Sequence, residues 1–278
     1  MKIISDCDLS KLSYIGIGPV INKLYIAENR ADLKSIAENS EIKMIGNLSN
    51  ILFASNFYEC SFVRLSGDFK TVRIIDKENF IVEVGGGCLI NEVIHELSDA
   101  GIGGLEEFFG IPGTIGGMIS LNAGAHGASI SEKLIKTELM RKGETLRKNI
   151  DFGYRSSDID DFILSATFSL QGSSHEKTKK RINELYDKRK KVQPLNKKSL
   201  GCVFKNPSPE TPAWKLINNN GFAGKCEKGI CVSKKHSNFI VNEQRGSAED
   251  FIILSQEIIR TVYMNEKIKL EYEIEILI

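Results

Sequence analysis

Residues Gly110–Gly127 read Gly-Ile-Pro-Gly-Thr-Ile-Gly-Gly-Met-Ile-Ser-Leu-Asn-Ala-Gly-Ala-His-Gly, with glycine or proline at seven of the eighteen positions. Glycine at this density indicates a backbone that adopts positive φ angles or lies very close to another group. The stretch contains no lysine or arginine, so a phosphate held here would meet backbone N–H groups. This glycine stretch therefore predicts an ordered loop that lies against a nucleotide.

A flexible linker is the alternative interpretation of the same glycines. Linkers are polar and rich in glycine and serine, whereas this stretch also carries several residues of the kind found in protein cores. These are Ile111, Ile115, Met118, Ile119 and Leu121. Their presence favours an ordered loop over a linker.

The composition is that of an ordinary globular protein with two or three modest domains. The 278 residues are 41% hydrophobic and 26% charged. A balance of 37 basic and 36 acidic residues gives a net charge of +1, so no overall field favours nucleic acid as a partner. The basic residues between Lys177 and Lys198 could attract an anionic ligand locally, although a solvated helix face explains most of them.

The sequence carries no sign of export or of a membrane span. The segment Met1–Asp8 becomes acidic at once and lacks the apolar core of a signal peptide, and no run of 18 apolar residues occurs. The six cysteines form no C-x-x-C pair, which favours reduced thiols over disulfides or a zinc site. We expect a cytoplasmic protein without metal, and a monomer because no heptad or long apolar edge calls for a partner.

Apolar periodicity predicts an α+β fold of three lobes, residues 1–66, 67–172 and 173–278. Residues 23–65 should form a βαββ-like unit, and the helix at 89–100 should bury one apolar face that includes Val93, Ile94 and Leu97. Thr211 should be the N-cap of a helix with Pro212 at N1, and Ser247 with Asp250 should form the capping box of the helix at 248–265. Glycines at 85–87 between a strand and a helix suggest a dinucleotide fold, but position 90 is isoleucine where that motif needs its third glycine. The final strand, 270–278, would return towards the active site. The predicted helices cover 30–39, 89–100, 176–192, 212–220 and 248–265, and the predicted strands cover 23–27, 42–45, 51–53, 62–65, 72–75, 80–84, 134–140, 145–148, 162–170, 230–232, 239–241 and 270–278, with a strand and turn at 199–207.

Three polar residues are candidates for chemistry, each with a plainer alternative. Arg155, in a short loop, could bind a carboxylate or phosphate as a bidentate fork, or could form a surface salt bridge. Cys202 could be a buried filler or a proton donor, because a thiol with a reference pKa of about 8.5 reaches both protonation states near neutrality. Glu273, in the final strand, could act as a general acid or could lie on a solvated face.

Several motifs, taken in chain order, are similar to those of one enzyme family. The glycine stretch follows Gly104-Leu-Glu106, and the later motifs are Tyr154-Arg-Ser-Ser157, Gln193-Pro-Leu195, Gly201-Cys-Val-Phe-Lys-Asn-Pro207, Trp214-Lys-Leu-Ile217, Val232-Ser-Lys-Lys-His-Ser-Asn-Phe-Ile-Val-Asn242 and Leu270-Glu-Tyr-Glu-Ile274. Along nearly the whole chain they resemble the UDP-N-acetylenolpyruvoylglucosamine reductase (MurB) family, flavoenzymes of bacterial wall synthesis.

The resemblance implies a two-lobed FAD-binding region of the PCMH-like type and a C-terminal α+β lobe that binds the substrate. FAD would be held tightly without a covalent bond, NADPH would be the co-substrate, and the substrate would be a UDP-sugar. FAD would be bound mainly through backbone groups. The implied residues are Gly46, Asn47, Leu48, Ser49, Asn50, Gly110, Ile111, Pro112, Gly113, Thr114, Gly116, Gly117, Asn122, Ala123, Gly124 and Ala125.

The same resemblance implies the reaction and the residues that carry it out. NADPH would pass a hydride to flavin N5, and reduced flavin would deliver it to C3 of the enolpyruvyl group, giving UDP-N-acetylmuramate. Arg155 and protonated Glu273 would stabilise the enediolate that forms on the substrate carboxylate. Cys202 would protonate C2, and the residues implied for substrate binding are Tyr154, Lys205 and Asn206.

The chain departs from the usual family pattern at several positions. Cys202 stands where most relatives have serine, Leu48 replaces a glycine, His126 replaces a tyrosine, and Glu275 replaces an arginine. The tyrosine loop that covers the substrate in longer relatives has no room here, so the chain resembles the shorter class. Two alternatives stay open: a related flavin oxidase with FAD attached through His126, and a degenerate paralogue that binds flavin or UDP-sugar as a sensor.

Overall fold

The computed structural model describes residues 1–37, 42–147 and 149–278 as a mixture of helices and mainly antiparallel strands. The helices are α1 (Arg30–Ala37), α2 (Ile90–Asp99), α3 (Ile115–Ser120), α4 (His175–Val192), α5 (Ala213–Asn219) and α6 (Ala248–Glu266). The strands are β1 (Lys2–Asp8), β2 (Val20–Ala27), β3 (Ile42–Met44), β4 (Ile51–Phe53), β5 (Ser61–Leu65), β6 (Val72–Asp76), β7 (Ile81–Gly85), β8 (Ile102–Gly103), β9 (Gly124–Ala125), β10 (Ala128–Ser129), β11 (Leu134–Arg141), β12 (Glu144–Leu146), β13 (Phe152–Gly153), β14 (Ser156–Ser157), β15 (Phe162–Ser169), β16 (Gln171–Gly172), β17 (Ser199–Cys202), β18 (Cys226–Glu227), β19 (Ile230–Val232), β20 (Phe239–Asn242) and β21 (Glu275–Leu277).

Most of the predicted helices and strands are confirmed to within one to three residues, and so is the α+β class. The best case is α6, where the predicted capping box is present: Ser247 Oγ accepts from the Asp250 N–H, and the Asp250 carboxylate accepts from the Ser247 N–H. Asn39 and Lys148, the predicted ends of a helix and a strand, lie outside the described residues.

Three local predictions are wrong. The predicted strand 270–278 is regular only in β21, which pairs in parallel with β4, so β4 does not join the neighbouring strands of a βαββ unit. Thr211 does not cap α5, because Pro212 occupies the N-cap position. Cys226 and Cys231 are joined by a disulfide across β18 and β19, where the sequence favoured reduced thiols.

The chain divides into two compact units, of which the first comprises Met1–Ser5, Asn22–Asn47 and Glu59–Lys188. Its larger sheet is antiparallel with the strand order β12-β11-β15-β7-β6. Helix α2 buries the apolar face that includes Val93, Ile94 and Leu97, as its 3.6-residue spacing requires. The same core holds the apolar residues of α3, so the glycine stretch is packed against this sheet rather than flexible.

The second unit comprises Asp6–Ile21, Leu48–Tyr58 and Arg189–Ile278. Its sheet is antiparallel in the order β17-β20-β19-β18. The core of this unit contains residues of that sheet, of α5 and α6, and of the segment before β21. Strand β17, the residues that follow it and the segment 270–275 therefore pack on one apolar core.

Candidate active site

The glycine stretch folds as a loop, a short helix and a tight hairpin. Thr114 caps α3 by accepting a hydrogen bond from the Gly117 N–H, and α3 buries Ile115, Met118 and Ile119. Ile111 and Leu121, also predicted as core residues, are half-buried. The following turn places Asn122 at φ 43° and His126 at φ 52°, in the left-handed region that favours glycine. The prediction of an ordered loop is confirmed.

Its glycines serve two different purposes. A Cβ at Gly116 would lie 3.1 Å from the Gly86 carbonyl oxygen, which accepts a hydrogen bond from the Gly116 N–H at 2.9 Å. Gly86 is more confined still, because its Cβ would lie 2.1 Å from the Ile163 carbonyl oxygen. Gly117, in contrast, is exposed, and a Cβ there would meet only Thr114 Oγ1 at 3.3 Å. Some glycines therefore permit backbone packing, and Gly117 leaves bare backbone at the surface.

The turn Gly46–Asn50, the second predicted cofactor segment, reaches the glycine stretch through its first two residues. Asn47 Nδ2 donates to the Pro112 carbonyl oxygen at 2.9 Å, and Arg64 Nη2 donates to Asn47 Oδ1 at 3.3 Å. A Cβ at Gly46 would lie 2.7 Å from Thr114 Oγ1, so only glycine allows this approach. The fold brings together two segments that lie more than sixty residues apart in the sequence.

Leu48, which replaces a glycine of the family pattern, keeps the backbone conformation that glycine would adopt. Its φ is 51°, and its side chain is only 2% exposed. The isobutyl group is therefore turned away from solvent, and the backbone of the turn is not covered by it. The replacement of glycine by Leu48 therefore strains the backbone but does not block the approach of a ligand to the turn.

The loop with Tyr154 and Arg155 is the turn of the β13–β14 hairpin, and it lies on the glycine stretch. Arg155, at φ 53°, donates from Nη2 to the Gly124 carbonyl oxygen at 2.8 Å. Its guanidinium carbon lies 5.1 Å from the centre of the Tyr154 ring, which is half-exposed. Asn122 Nδ2 donates to the Gly153 carbonyl oxygen at 2.8 Å and fixes the strand residue that precedes the turn. The cation predicted for an oxyanion is thus held at the predicted cofactor loop.

In the second unit, the segments that carry Cys202 and Glu273 lie side by side. The Glu273 N–H donates to the Val203 carbonyl oxygen at 2.8 Å, and the Lys205 N–H donates to the Glu271 carbonyl oxygen at 2.8 Å. Between them, Phe204 and Tyr272 form an antiparallel bridge and stack with ring centres 5.4 Å apart. Cys202 and Glu273 are both half-buried. Residues separated by seventy positions therefore lie on paired segments.

The turn residue Asn50 is bonded to the same segment. Asn50 Nδ2 donates to the Glu273 carbonyl oxygen at 3.1 Å, and the Glu275 N–H donates to the Asn50 carbonyl oxygen at 2.9 Å. A predicted cofactor residue, Asn50, is hence joined by its side-chain amide to the backbone of a predicted catalytic residue, Glu273. Glu275, which stands where relatives have arginine, is exposed.

Asn238, to which the sequence assigned no role, clamps the segment beside Cys202. It is 2% exposed, its Oδ1 accepts from the Phe204 N–H at 2.9 Å, and its Nδ2 donates to the Phe204 carbonyl oxygen at 2.8 Å. The Asn238 carbonyl oxygen also accepts from the Val203 N–H at 2.8 Å. Its motif was visible in the sequence, but nothing in the sequence distinguishes a buried amide clamp from a surface asparagine.

The predicted substrate residues are differently placed. Lys205 is half-buried beside Glu271, whereas Asn206 is exposed and its Oδ1 accepts from the Ala213 N–H at 3.0 Å. Asn206 thereby supplies the capping oxygen that Pro212, at the N-cap of α5, cannot provide. Its amide nitrogen is the group that a ligand could still use.

Burial shifts the pKa values of three side chains, those of Tyr272, His236 and Cys88. Burial raises the pKa of the Tyr272 phenol, whose oxygen is bonded to Ser255 Oγ at 2.7 Å, so this hydroxyl stays neutral. Burial lowers the pKa of His236, which packs edge-on against Phe239. Burial also raises the pKa of the Cys88 thiol, next to the 85–87 glycines, to about 11, which excludes a thiolate there.

Across the ranges that the structure describes, no group of three or more His, Cys, Asp or Glu side chains could hold a metal ion. A membrane-crossing helix is likewise missing from these ranges, because none is both long and apolar enough.

Comparison with known proteins identifies the family. Residues 193–277 match the family model described as "UDP-N-acetylenolpyruvoylglucosamine reductase, C-terminal domain", and residues 27–147 match the one described as "FAD binding domain". A UDP-N-acetylenolpyruvoylglucosamine reductase of Wolbachia sp. subsp. Brugia malayi is 32% identical over 97% of this chain and 93% of its own length. The chain belongs to the UDP-N-acetylenolpyruvoylglucosamine reductase family. It is therefore an oxidoreductase.

Further relatives of the family agree over the full length. The Fusobacterium nucleatum reductase is 31% identical and covers 99% of both chains. The crystal structure of the Thermus caldophilus enzyme superposes with a TM-score of 0.86 at 29% identity, over 100% of this chain and 98% of that one. The FAD-binding region and the FAD cofactor predicted from the sequence are confirmed.

The residues present fit FAD. Between positions 110 and 125 no side chain is charged, Gly117 exposes its backbone, and Gly46 and Asn47 lie against Thr114 and Pro112. Such a surface lets a diphosphate approach the backbone without competing charges or side chains.

Proposed function

We propose that this protein reduces UDP-N-acetylglucosamine enolpyruvate to UDP-N-acetylmuramate with NADPH, in the cytoplasmic steps of peptidoglycan synthesis. Bound FAD would supply the hydride for the enolpyruvyl double bond after accepting it from NADPH. Membership of the reductase family supports the overall reaction. The observation that carries the residue assignments is the pairing of the Cys202 and Glu273 segments through the Glu273 N–H and the Val203 carbonyl oxygen.

FAD would be held through backbone groups of Gly46–Asn50 and of the cofactor residues in the glycine stretch. We assign the binding of FAD to residues 1–66 and 67–172, and the binding of the UDP-sugar to residues 173–278 with the final segment 270–278. FAD would be bound without a covalent bond, and the protein would act as a monomer of the shorter family class. Gly117, exposed and without a side chain, supports an approach of the cofactor to bare backbone.

Each catalytic residue would act on the substrate through a different property. Arg155 would hold the substrate carboxylate as its charge grows, and its bond to Gly124 pre-positions the guanidinium. Protonated Glu273 would donate a hydrogen bond to the same carboxylate. The Cys202 thiol would deliver a proton to C2, and a thiol is a stronger acid than the serine hydroxyl found in most relatives. Tyr154, Lys205 and Asn206 would contact the UDP-sugar.

The test separates the two halves of the reaction. The purified protein is expected to be yellow and to oxidise NADPH rapidly only when the enolpyruvyl UDP-sugar is present. Cys202→Ala should still be bleached by NADPH, yet should not recover its flavin colour when substrate is added without oxygen. Cys202→Ser should restore that recovery, because the hydroxyl also donates a proton.

Two outcomes would overturn the proposal. Normal turnover by Cys202→Ala would remove the proton-donor assignment. If the wild-type protein binds flavin but does not oxidise NADPH when the UDP-sugar is added, the protein is a paralogue that only binds its ligands.

A further inference from the structure

A polar cavity of about 400 Å³ lies within the second unit, away from the residues assigned to the reaction. Its walls come from the segment after β1, from the residue before β17 and from the turn before α6. The charged and aromatic lining residues are Lys11, Tyr14, Lys198 and Arg245, and Ser13 and Gly16 also line the cavity. We call this space the basic cavity.

The basic cavity concentrates positive charge that the protein itself does not neutralise. Lys11 forms an ion pair with Asp8 at 3.5 Å. Lys198 and Arg245 take part in no ion pair with an acidic side chain among the residues that the structure describes, although the adjacent Lys197 pairs with Glu243 at 3.0 Å. Like charges that line one recess repel each other, and an anion placed between them relieves that repulsion.

Ser13 provides an independent observation that points to a ligand. It is 8% exposed, lines the basic cavity, and its hydroxyl has no hydrogen-bond partner within the described part of the chain. Buried hydroxyls are almost always bonded, because an unmet donor loses its interaction with water without replacement. The Ser13 Oγ is shielded from solvent, and a rotation of the side chain towards the cavity would let it donate to an anionic oxygen there.

The walls of the cavity are fixed before any ligand arrives. Asn242, at the end of β20, donates from its backbone N–H to the Lys198 carbonyl oxygen at 2.9 Å and from Nδ2 to the Ile15 carbonyl oxygen at 3.1 Å. Its Oδ1 accepts from the Gly246 N–H at 2.9 Å. One asparagine therefore ties all three walls together, which lowers the conformational cost of binding.

Gly16 lets a cation approach the floor of the recess. A Cβ at this position would lie 3.1 Å from Lys198 Cδ and 3.2 Å from Lys198 Nζ, and the residue has φ 71°. A larger residue at this position would make the Lys198 side chain shift, and its backbone would be strained at this positive φ.

We propose that the basic cavity binds the diphosphate group of a small molecule, at a site separate from the one assigned to the reduction. The two cations without an acidic partner, Lys198 and Arg245, match the several charged oxygens of a diphosphate better than the single charge of a monoanion. The half-exposed ring of Tyr14 adds a flat apolar wall, on which a base could stack. Inorganic pyrophosphate and a nucleoside diphosphate share this chemistry.

Calorimetric titration of the FAD-loaded protein with inorganic pyrophosphate tests the proposal. Wild type should bind with an affinity that falls as salt is added. The double variant Lys198→Ala/Arg245→Ala should bind at least about tenfold more weakly, since each lost cation removes a direct attraction. Lys197→Ala, which removes a neighbouring cation outside the cavity, should bind like wild type.

Two further variants keep the result unambiguous. Lys205 belongs to the assigned substrate site, so the Lys205→Ala variant should bind pyrophosphate as wild type does. The double variant should keep the wild-type KM for the UDP-sugar. Ser13→Ala should fold normally and weaken pyrophosphate binding. The proposal is overturned if wild type fails to bind, if the double variant binds like wild type, or if Lys205→Ala rather than the double variant abolishes binding.

Titration with ADP identifies the source of the diphosphate. Tighter binding of ADP than of pyrophosphate, with the advantage lost in Tyr14→Ala, would identify a nucleotide ligand. Equal affinity would identify free diphosphate. ADP binding that survives the double variant but not Lys205→Ala would place the ligand in the substrate site and contradict the proposal.

Discussion

The glycine stretch of the first unit and the paired segments of the second unit build function in opposite ways. The glycine stretch works by removing side chains, and its order comes from backbone contacts such as that of Gly116 with Gly86. The pair formed by residues 202–205 and 271–273 works by placing side chains, and its order comes from the buried amide of Asn238. A backbone site fails when atoms are added, whereas a side-chain site fails when atoms are removed.

The largest effect is expected when atoms are removed at Asn238. Asn238→Ala leaves the Phe204 N–H and carbonyl oxygen buried without partners, which should lower the free energy of unfolding by about 4 kcal/mol. Any folded protein should still be bleached by NADPH but be reoxidised slowly by substrate, because Cys202 is misplaced. Urea unfolding and stopped-flow absorbance measure the two effects.

Asn265→Ala is the matched control, because its amide donates to Asn220 Oδ1 at the surface. Its stability should change by less than about 0.5 kcal/mol. Equal stabilities of the two variants would show that the clamp does not hold the segment.

The next effect is expected when one methyl group is added to the glycine segments. Gly86→Ala places a Cβ 2.1 Å from the Ile163 carbonyl oxygen, so it should cost about 3 kcal/mol of stability and release FAD. Gly117→Ala should instead keep or raise stability by up to about 1 kcal/mol, because alanine is a better helix former. Thermal unfolding and bound flavin per protein are the measurements.

The flavin content of the Gly117→Ala variant tests whether this glycine faces the cofactor. A stable protein that has lost much of its flavin would separate the ligand-facing glycine from the packing glycine. Full retention of flavin would contradict the assignment of Gly117 to the cofactor.

An intermediate effect is expected from the disulfide of the second unit. Cys226 and Cys231 are five positions apart, and closing so short a loop should contribute about 2 kcal/mol. Dithiothreitol should therefore lower the unfolding midpoint of wild type and leave that of Cys226→Ser/Cys231→Ser unchanged. Cys60→Ser should respond to the reductant like wild type. An identical midpoint with and without reductant would mean that the bond does not stabilise the unit.

The smallest effect is expected at Leu48. Its backbone has the positive φ that favours glycine, whereas its side chain is buried like that of a core residue. Leu48→Gly relieves a positive φ but exposes a fully buried side-chain position, so a net loss of about 1 kcal/mol is expected. Lys267→Gly is the control, because Lys267 has φ 58° and an exposed side chain, and it should gain stability. A gain in both variants would show that strain outweighs burial at Leu48.

The sequence by itself determined the features that depend on neighbours along the chain. The capping box at Ser247 and Asp250, the apolar face of α2 and the absence of charge from the glycine stretch are local, and each was predicted before any fold was known. Motif order added the reductase family and FAD, because many separate motifs coincide only in one family.

Only the tertiary structure decided which distant residues meet. Several features join residues that are distant in the sequence or lie on different strands. They are the bond from Asn47 to Pro112, the clamp of Asn238 on Phe204 and the disulfide across β18 and β19. The basic cavity likewise gathers Lys198 and Arg245 from separate segments. Strand β21 also pairs with β4 rather than continuing from residue 270. Such contacts depend on how elements pack around a shared core, and the periodicity of one segment holds no information about the register of another.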